Sequence, residues 1–431
     1  MLKAFVNAFK IPDLRKKILF TLFIIAVFRF GSHLPVPVID VQALKTDVAG
    51  SNQTGFLSFI DLFSGGALTR FAVFALGIMP YITSSIIMQL LTVVIPKLEQ
   101  WQKQGEVGIK KITQWTRYMT VTLAVLQSTG LVFLFNNQFS VAAGLPANII
   151  PPDKFDAPHI GLIVLTLAAG TATIMWMGEL ITQRGIGNGM SILIFTSVIS
   201  RLPTQGAAIY SQTGAVKFYV ILALAMFIIL AVVFMEQGQR RIPVQYAKRV
   251  VGRRMVGGQS TYIPLKVNQA GVIPIIFASS VLYFPSLLAS VVHAQWFQNF
   301  VNNNLNSARS PLYLFVYGLL VVFFAYFYTA ITFNPVDTAD NIRKYGGFIP
   351  GIRPGRPTAE YLNNILVRIT LPGSLFLASV ALLPSIFLAL YSIQQFPFGG
   401  TAILITVGVA LETMKQLESQ LLMRHYEGFL R

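Results

Sequence analysis

Residues 63–96, FSGGALTRFAVFALGIMPYITSSIIMQLLTVVIP, decide the fold class of this chain. The first part, 63–70, contains two glycines, a threonine and an arginine, and it is too polar to lie in lipid. The second part, 71–95, is apolar and long enough to cross a bilayer, yet it contains Gly77 and Pro80. Interrupted backbone at membrane depth is tolerated only where protein or a water-filled cavity covers it. We therefore expect the chain to surround an aqueous path that this segment lines.

The composition is that of a polytopic helical membrane protein. Hydrophobic residues make up 54% of the chain and charged residues 11%. The apolar residues fall in runs of about 17–25, the length that a helix needs to cross a bilayer. Ten runs are found, beginning near Ile18, Phe71, Met119, Ile160, Met190, Phe218, Ala270, Leu312, Ile369 and Thr401. The sequence therefore predicts an all-α fold with ten transmembrane helices.

Lysine and arginine are unevenly distributed between the two sides of this arrangement. Most of the 33 basic residues precede the first run, follow the last run or lie in the even-numbered connections. Because basic residues are retained on the cytoplasmic side, we expect both termini in the cytoplasm. We therefore attribute the net charge of +17 mainly to the basic residues that fix the orientation of the chain in the membrane. Nucleic-acid binding is the alternative. Residues 1–17 are typical of a basic amphipathic helix on a membrane face.

The interruptions repeat at equal spacing in the two halves of the chain. The second run contains GIMP at 77–80, and the seventh contains GVIP at 271–274. The fifth and tenth runs are both short and follow glycines at 185–189 and 399–400. With five crossings per half, the second copy must enter the membrane inverted, and such paired interruptions indicate a central site between the halves. The alternative is coincidence, since glycine and proline are common in membrane helices.

The predicted centre carries few ionisable side chains. Arg29 is the only basic residue inside a run, and we expect it to reach outward to the interface from a helix end. The repeat instead places Ile82 and Ile276 at equivalent positions, two residues after the prolines. A constriction of isoleucines excludes ions by dewetting. Ordinary packing against lipid or other helices is the alternative for each isoleucine.

Two connections on the basic side are large enough to form structures of their own. In the sixth, residues 241–248 alternate between apolar and polar side chains, and the alternation resumes at 259–267. This predicts a two-stranded ribbon with residues 252–254 near its tip. The eighth connection concentrates Gly, Pro and Arg at 346–357, which predicts a rigid, turn-rich platform. Arginine suits bidentate contact with phosphate or carboxylate, so both loops are candidate docking sites.

Three classes of function are compatible with these features: a protein-conducting channel, a secondary transporter and a membrane-embedded enzyme. A transporter should carry ion- or substrate-binding carboxylates in its core, and the runs contain no such cluster. An enzyme needs a nucleophile and base or metal ligands, but the chain lacks cysteine and its four histidines are scattered. We expect no catalytic site, metal or cofactor. Without a phosphate-binding loop, any ATP-driven force must come from a partner.

Several long stretches resemble the SecY family, the channel subunits of the bacterial Sec translocon. They are 63–91 in the opening segment, 181–195 (ITQRGIGNGMSILIF), 239–249 (QRRIPVQYAKR), 259–280 (QSTYIPLKVNQAGVIPIIFASS) and 346–362 (GGFIPGIRPGRPTAEYL). The resemblance extends from about Ile11 to the tail. It implies two inverted five-helix halves around an hourglass pore. Such a channel passes unfolded secretory proteins across the plasma membrane and releases signal or transmembrane segments laterally into lipid.

The resemblance also implies which residues close and open the pore. A ring of aliphatic side chains is implied at Ile78, Ile82, Met190, Ile194, Ile276 and Ile405, with methionine as a mild departure that still seals. A plug helix is implied at 61–70, with Asp61, Phe63, Ser64, Gly65, Gly66 and Arg70. A lateral gate is implied between runs two and three and runs seven and eight. The polar side chains on that seam, which can bond across helices or within their own helix, are Gln89, Gln127, Asn268 and Ser280.

Partners and boundaries follow from the same resemblance. The implied partners are the small membrane subunits SecE and SecG, the SecA ATPase, the ribosome with its nascent chain, signal peptides and anionic lipid. The candidate ribosome and SecA docking residues are Arg240, Arg241, Lys248, Arg249, Arg253, Arg254, Arg353 and Arg356. The expected organisation is an N-terminal segment at 1–17, halves at 18–201 and 202–423, cytoplasmic loops at 236–268 and 334–368, and a tail at 424–431.

Overall fold

Each of the ten apolar runs overlaps a helix in the computed structural model. It describes residues 9 and 61 and residues 11–39, 63–136, 155–246, 249–251, 254–256, 260–291, 294–305, 310–391 and 400–427. The helices of the described residues are α1 (Pro12–Gly31), α2 (Met79–Val94), α3 (Pro96–Lys103), α4 (Glu106–Asn136), α5 (Ala157–Arg184), α6 (Gly189–Gln237), α7 (Ile273–Val291), α8 (Gln295–Phe300), α9 (Pro311–Thr332), α10 (Pro335–Lys344), α11 (Arg356–Tyr391) and α12 (Gly400–Glu427). A π-helical turn, Val301–Leu305, follows α8.

Four of the described helical stretches are long and apolar enough to cross a membrane by themselves: Ala157–Arg184, Gly214–Gln237, Pro311–Lys344 and Arg356–Leu383. A fifth is formed when α2 and α3, which bend by 100° at their junction, are taken as one unit. Two further apolar helices, Gly189–Thr204 and Ile273–Leu282, are shorter. Short apolar helices beside irregular backbone fit a membrane protein whose interruptions are covered by other segments.

The two GxxP interruptions have the same backbone geometry. Gly77 has φ +57° and α2 begins at Met79, while Gly271 has φ +62° and α7 begins at Ile273. Each proline occupies the first turn, where its missing N–H costs no hydrogen bond. The apolar run that begins at Phe71 is therefore helical only from Met79, because residues 65–78 form turns. The expectation of one apolar span over 71–95 is corrected accordingly.

Several boundaries differ from those expected from hydropathy. Helix α6 carries both the fifth and sixth runs, continues through 201/202 and bends at Gly214, which has φ 76° and ψ 169°. Helix α11 begins at Arg356 rather than near Ile369, and α10 occupies 335–344, so the platform between them is shorter than predicted. Helix α1 begins at Pro12, so residues 12–17 continue into the first span, and Leu14 is buried beside Ile18.

The predicted ribbon is confirmed, and it has a third strand. Strands β1 (Gln239–Tyr246) and β4 (Ser260–Lys266) pair antiparallel, with Gln239 opposite Lys266. A small hairpin of β2 (Arg249–Val251) and β3 (Arg254–Val256) lies beyond them. Strand β5 (Gly347–Phe348), from the eighth connection, pairs with the end of β1. The two large connections therefore form one structural unit rather than two separate loops.

Two large hydrophobic clusters hold the helices together. One joins α1, α5, the first part of α6 and residues 63–79. The other joins the second part of α6 with α7, α9 and α11. Helix α12 contributes to both, through Ile405 to the first and Leu404 to the second. Helix α7 also contributes to both clusters, and the candidate site lies within the first cluster, where Ile276 of α7 and Ile405 of α12 join residues 63–79.

Candidate pore seal and plug

The structure brings the six predicted ring residues into one buried cluster. Five of them are less than a tenth exposed, and Ile82 is half-buried and packs against the hydrophobic cluster that contains them. We call this set the seal cluster: Ile78, Ile82, Met190, Ile194, Ile276 and Ile405. Its members come from four parts of the chain that are far apart in sequence, so the tertiary fold assembles it.

The seal cluster forms where four helices begin. Ile78 precedes α2 directly, Met190 and Ile276 lie in the first turns of α6 and α7, and Ile405 lies in the second turn of α12. Ile194 follows Met190 by four residues and therefore shares its helix face. The two interrupted helices also share an equivalent backbone hydrogen bond at their start. Ile82 N donates to Ile78 O at 3.1 Å, and at the matching position Ile276 N donates to Val272 O at 3.4 Å.

A close helix contact fixes the position of Met190. The Asn188 side chain caps α6 by accepting from Met190 N at 3.1 Å. Gly178 of α5 packs directly on the Met190 thioether, where a Cβ would collide with it. The flexible methionine side chain therefore fills the space beside Gly178, where α5 has no side chain. A branched side chain would fill this space less easily.

The predicted plug packs against the seal cluster. Phe63 is fully buried, and it belongs to the same hydrophobic cluster as the seal residues, as does Ala67. Residues 61 and 63–64 are helical, whereas 65–70 form turns, with Gly65 and Gly66 at φ 66° and 87°. The expected plug helix is thus a short helical turn followed by a folded loop. Arg70, at its end, is exposed.

Backbone and side-chain hydrogen bonds hold this loop together. Ser64 Oγ accepts from Leu68 N at 3.2 Å, and Asp61 Oδ1 accepts from Thr69 N at 3.2 Å. Beyond the loop, Val36 N donates to Phe71 O at 3.0 Å and Val73 N donates to Leu34 O at 2.8 Å. The loop is therefore a folded unit tied to the segment that follows α1.

Two arginines bind the predicted plug from the neighbouring helices. Arg201 of α6 forms an ion pair with Asp61, whose side chain is 3% exposed. Arg29 Nη1 of α1 donates to Gly65 O at 3.0 Å and to Ser200 Oγ at 2.9 Å. We call Arg29, Asp61 and Arg201 the plug clamp. The expectation that Arg29 reaches outward is wrong, because its guanidinium turns inward to the backbone carbonyl of Gly65.

Sequence reasoning missed the clamp for a physical reason. Arg201 lies at the end of the fifth apolar run, on the side that carries few basic residues, and nothing in the sequence around it connects it with Asp61. The one available signal was Arg29 itself, since an unpaired charge inside an apolar run is costly and indicates a buried partner.

The four polar residues predicted for the lateral gate make different contacts. Asn268 Nδ2 donates to Glu236 Oε1 at 2.5 Å and to Gly271 O at 3.1 Å. Ser280 Oγ donates to Ile276 O at 2.8 Å within its own helix. Gln89 and Gln127 are half-buried, and neither side chain has a hydrogen-bond partner among the described residues. Within the described part of the chain, none of the four bonds across the seam.

Other polar contacts link the helices on each side of that seam. Ser84 Oγ of α2 donates to Thr116 O of α4 at 2.8 Å. Ser279 Oγ of α7 lies 3.3 Å from the Tyr317 hydroxyl of α9. Across the seam the contact is apolar, since Ile86 of α2 packs against the cluster that contains α7 and α9. Each side is therefore a bonded helix pair, and the seam between the pairs is held by weaker, non-directional contact.

The candidate docking arginines that the structure describes are exposed. Arg241 lies over the Tyr262 ring at 4.9 Å, and Arg356 Nε pairs with Glu360 Oε1 at 3.1 Å. Arg240 and Arg353 are exposed as well. Arg249 and Arg254 are described only as strand backbone, and Lys248 and Arg253 lie outside the described residues.

The chain is similar over its whole length to known translocase subunits. The family model described as SecY matches residues 72–414. The protein translocase subunit SecY of Streptomyces scabiei is 56% identical over 440 residues, covering 100% of both chains. The protein of the same name from Mycobacterium tuberculosis is 51% identical over 444 residues, again with 100% of both chains covered.

Solved structures share the fold at low sequence identity. One described as a protein-conducting channel has a TM-score of 0.64 at 17% identity, covering 96% of both chains. One on the plug domain of SecY, described as stabilising the closed state and maintaining a membrane seal, has a TM-score of 0.62 at 16% identity with the same coverage. Sec61 in the canine ribosome–channel complex has a TM-score of 0.59 at 15% identity, also covering 96% of both chains.

Proposed function

This chain belongs to the SecY family, and from that membership we propose that the seal cluster and residues 61–70 close its protein-conducting pore. It is a multi-pass membrane protein and a translocation channel subunit. The proposal is supported most directly by one hydrophobic cluster. It contains Ile276 together with Phe63 and Ala67 of the predicted plug, and Ile82 from the other interrupted helix packs against it.

The chemistry of the seal cluster suits a gate for polypeptides. Water between branched aliphatic side chains is unfavourable, so a narrow ring of them blocks ions without binding any. The same side chains offer no charge or hydrogen bond that would retain a passing chain. Unfolded secretory proteins would pass through the ring once the plug leaves it, and apolar signal or transmembrane segments would leave through the seam crossed by Ile86.

The driving force and the docking surfaces belong to partners in this proposal. The exposed Arg241, Arg353 and Arg356 lie on the unit of sheet and platform, where they would bind the ribosome or the SecA ATPase. The fold shared with Sec61 in a ribosome–channel complex supports the ribosome as a partner. SecE and SecG would be the accompanying small subunits, and signal peptides and anionic lipid would bind the membrane region. The location would be the bacterial plasma membrane, with both termini in the cytoplasm.

An asparagine at Ile276 tests the seal. We expect Ile276→Asn to conduct ions at rest and to accept substrates with defective signal sequences, because an amide lowers the cost of wetting the constriction. Single-channel conductance in planar bilayers measures the leak directly.

Ile87→Asn is the matched control, because Ile87 lies on the same helix, is half-buried and is outside the seal cluster. This variant should lower the yield of folded protein without opening the pore. A silent Ile276→Asn channel in well-folded protein would refute the assignment of the constriction.

A further inference from the structure

The two interrupted helices are preceded by the same backbone arrangement. In each half, the residue four positions before the glycine of the GxxP motif donates its N–H to the chain that follows the preceding helix. Val73 N donates to Leu34 O at 2.8 Å, and Val267 N donates to Gly238 O at 3.0 Å. The two breaks therefore share their backbone path, and the differences between them lie in the side chains.

The side chain three positions before each glycine binds the break to the preceding helix. In the first half this residue is Phe74, whose ring stacks on that of Phe28 of α1 with the centroids 5.8 Å apart. In the second half it is Asn268, whose Nδ2 donates to Glu236 Oε1 of α6 at 2.5 Å. The same place in the fold therefore has an apolar contact in one half and a polar contact in the other.

The polar contact also reaches the break itself. Asn268 is 7% exposed, and its Nδ2 makes a second hydrogen bond, to Gly271 O at 3.1 Å. Packing gives Gly271 less support than it gives Gly77. A Cβ at Gly77 would lie 3.0 Å from the backbone of the predicted plug, whereas a Cβ at Gly271 would meet nothing within 4 Å. The hydrogen bonds of Asn268 therefore hold the second break, as packing holds the first.

Glu236 is well placed to be the acceptor in this contact. It lies in the last turn of α6 and is half-buried. Lys266 and Lys415 interact favourably with its carboxylate, and Glu412 interacts unfavourably. Hydrogen bonds to a carboxylate are stronger than those between neutral groups. Because Asn268 is buried, loss of this acceptor would leave a donor group without compensation by water.

Along the chain, the contact lies between the sheet and the seal cluster. Strand β4 ends at Lys266, two residues before Asn268. Beyond the break, Ile276 N donates to Val272 O in the first turn of α7. A displacement of the sheet therefore reaches Asn268 before it reaches Ile276.

We propose that Glu236 is a positioning residue for gating. It holds Asn268, and through Asn268 the break before α7, so that Ile276 stays in the seal cluster. Loss of the bond between Asn268 and Glu236 releases the start of α7 and widens the seam beside it. The effect on conductance rests on the proposed closure of the pore by the seal cluster, whereas the effect on the position of α7 does not.

Spin labels on the two sides of the seam test this role. The chain has no cysteine, so labels can be attached at Leu126→Cys of α4 and Val281→Cys of α7, both exposed. We expect Glu236→Ala to lengthen the distance between the labels, measured by double electron–electron resonance. It should also raise the resting conductance in planar bilayers about tenfold or more, the scale of a lost hydrogen bond to a charged group. Glu236→Gln keeps an acceptor oxygen and should restore most of the shorter distance.

Gln237→Ala is the matched control, because Gln237 is the next residue of α6 and is exposed. It should change neither measurement. An unchanged label distance in Glu236→Ala protein that is folded by circular dichroism would overturn the proposal, and so would equal effects of Glu236→Gln and Glu236→Ala.

A double-mutant cycle with Asn268→Ala separates this role from a general loss of stability. Glu236→Ala should add no further change in label distance to that caused by Asn268→Ala, because both remove the same bond. Additive changes would mean that Glu236 acts by another route, contrary to the proposal. A longer label distance without added conductance would support the positioning role and would count instead against closure of the pore by the seal cluster.

Discussion

The ion pair between Asp61 and Arg201 joins the predicted plug to α6. The Asp61 side chain is almost fully buried and that of Arg201 is about one-fifth exposed. Removal of one partner from a buried pair leaves an uncompensated charge, at a cost of about 3–5 kcal/mol, whereas replacement of both partners is often tolerated. The seated position of the plug therefore depends on both charges being present or both absent.

Neutralising Arg201 alone should unseat the plug. We expect Arg201→Gln to raise the open probability of the channel at rest, measured as conductance in planar bilayers. Adding Asp61→Asn should restore most of the closure, because no charge is then left unpaired. Arg70→Gln is the control, since Arg70 is exposed at the end of the same loop. Equal conductance of Arg201→Gln and the unaltered channel would contradict this role of the ion pair.

At this scale the sequence predicted the clustering of the apolar residues better than the contacts of the polar ones. Ile82 and Ile276 could be found because each follows a local GxxP break at a fixed offset, and the tertiary fold preserves that offset. The Arg29 contacts could not be found, because they join residues 36 and 171 positions apart without any local pattern. The gate residues were selected for polarity alone, and Ser280 satisfies its hydroxyl within its own helix instead.

The interrupted helices offer a matched comparison at the scale of elements. Gly77 and Gly271 have nearly the same φ, but their surroundings differ. A Cβ at Gly77 would lie 3.0 Å from Phe63 O and Ser64 Cα, whereas a Cβ at Gly271 would meet nothing within 4 Å. The left-handed conformation alone costs a residue with a side chain about 1–2 kcal/mol.

Gly77→Ala should therefore be the more harmful of the two substitutions. It combines the conformational cost with a tight contact that the backbone at Phe63 and Ser64 must shift to relieve, so we expect both a lower melting temperature and a resting leak. Gly271→Ala should cost about 1–2 kcal/mol of stability and leave the resting conductance unchanged. Thermal unfolding of the purified variants and bilayer recordings provide the two measurements. A leak from Gly271→Ala equal to that from Gly77→Ala would contradict this distinction.

Element types were predictable here, whereas several boundaries were not. Glycine and proline located the starts of α2 and α7, because their backbone preferences act locally. Helix α11 begins at Arg356, in a polar stretch that hydropathy assigns to a loop, and β5 is only two residues long. Both depend on packing between the two large connections, where Leu362 and Ile365 of α11 cover Ile242 and Val244 of β1.

The arrangement of the whole molecule predicts a specific labelling pattern. The chain has no cysteine, so single cysteines can be introduced at exposed positions. We expect Gln104→Cys and Tyr345→Cys to react with an impermeant thiol reagent from the cytoplasmic side, and Ala157→Cys from the other side, because basic residues mark the cytoplasmic connections. Reaction of all three from one face would contradict the ten-helix topology.

The pairing of β5 with β1 has a mechanical consequence for the molecule. One sheet continues directly from the end of α6 and packs on the start of α11. A partner that pushes on this sheet therefore acts on the second part of α6 and on α11 at the same time. The plug is clamped to α1 and α6 instead. Load on the sheet is therefore borne by a different set of helix contacts from those that retain the predicted plug, because the sheet follows the part of α6 after the bend at Gly214, whereas Arg201 lies before that bend.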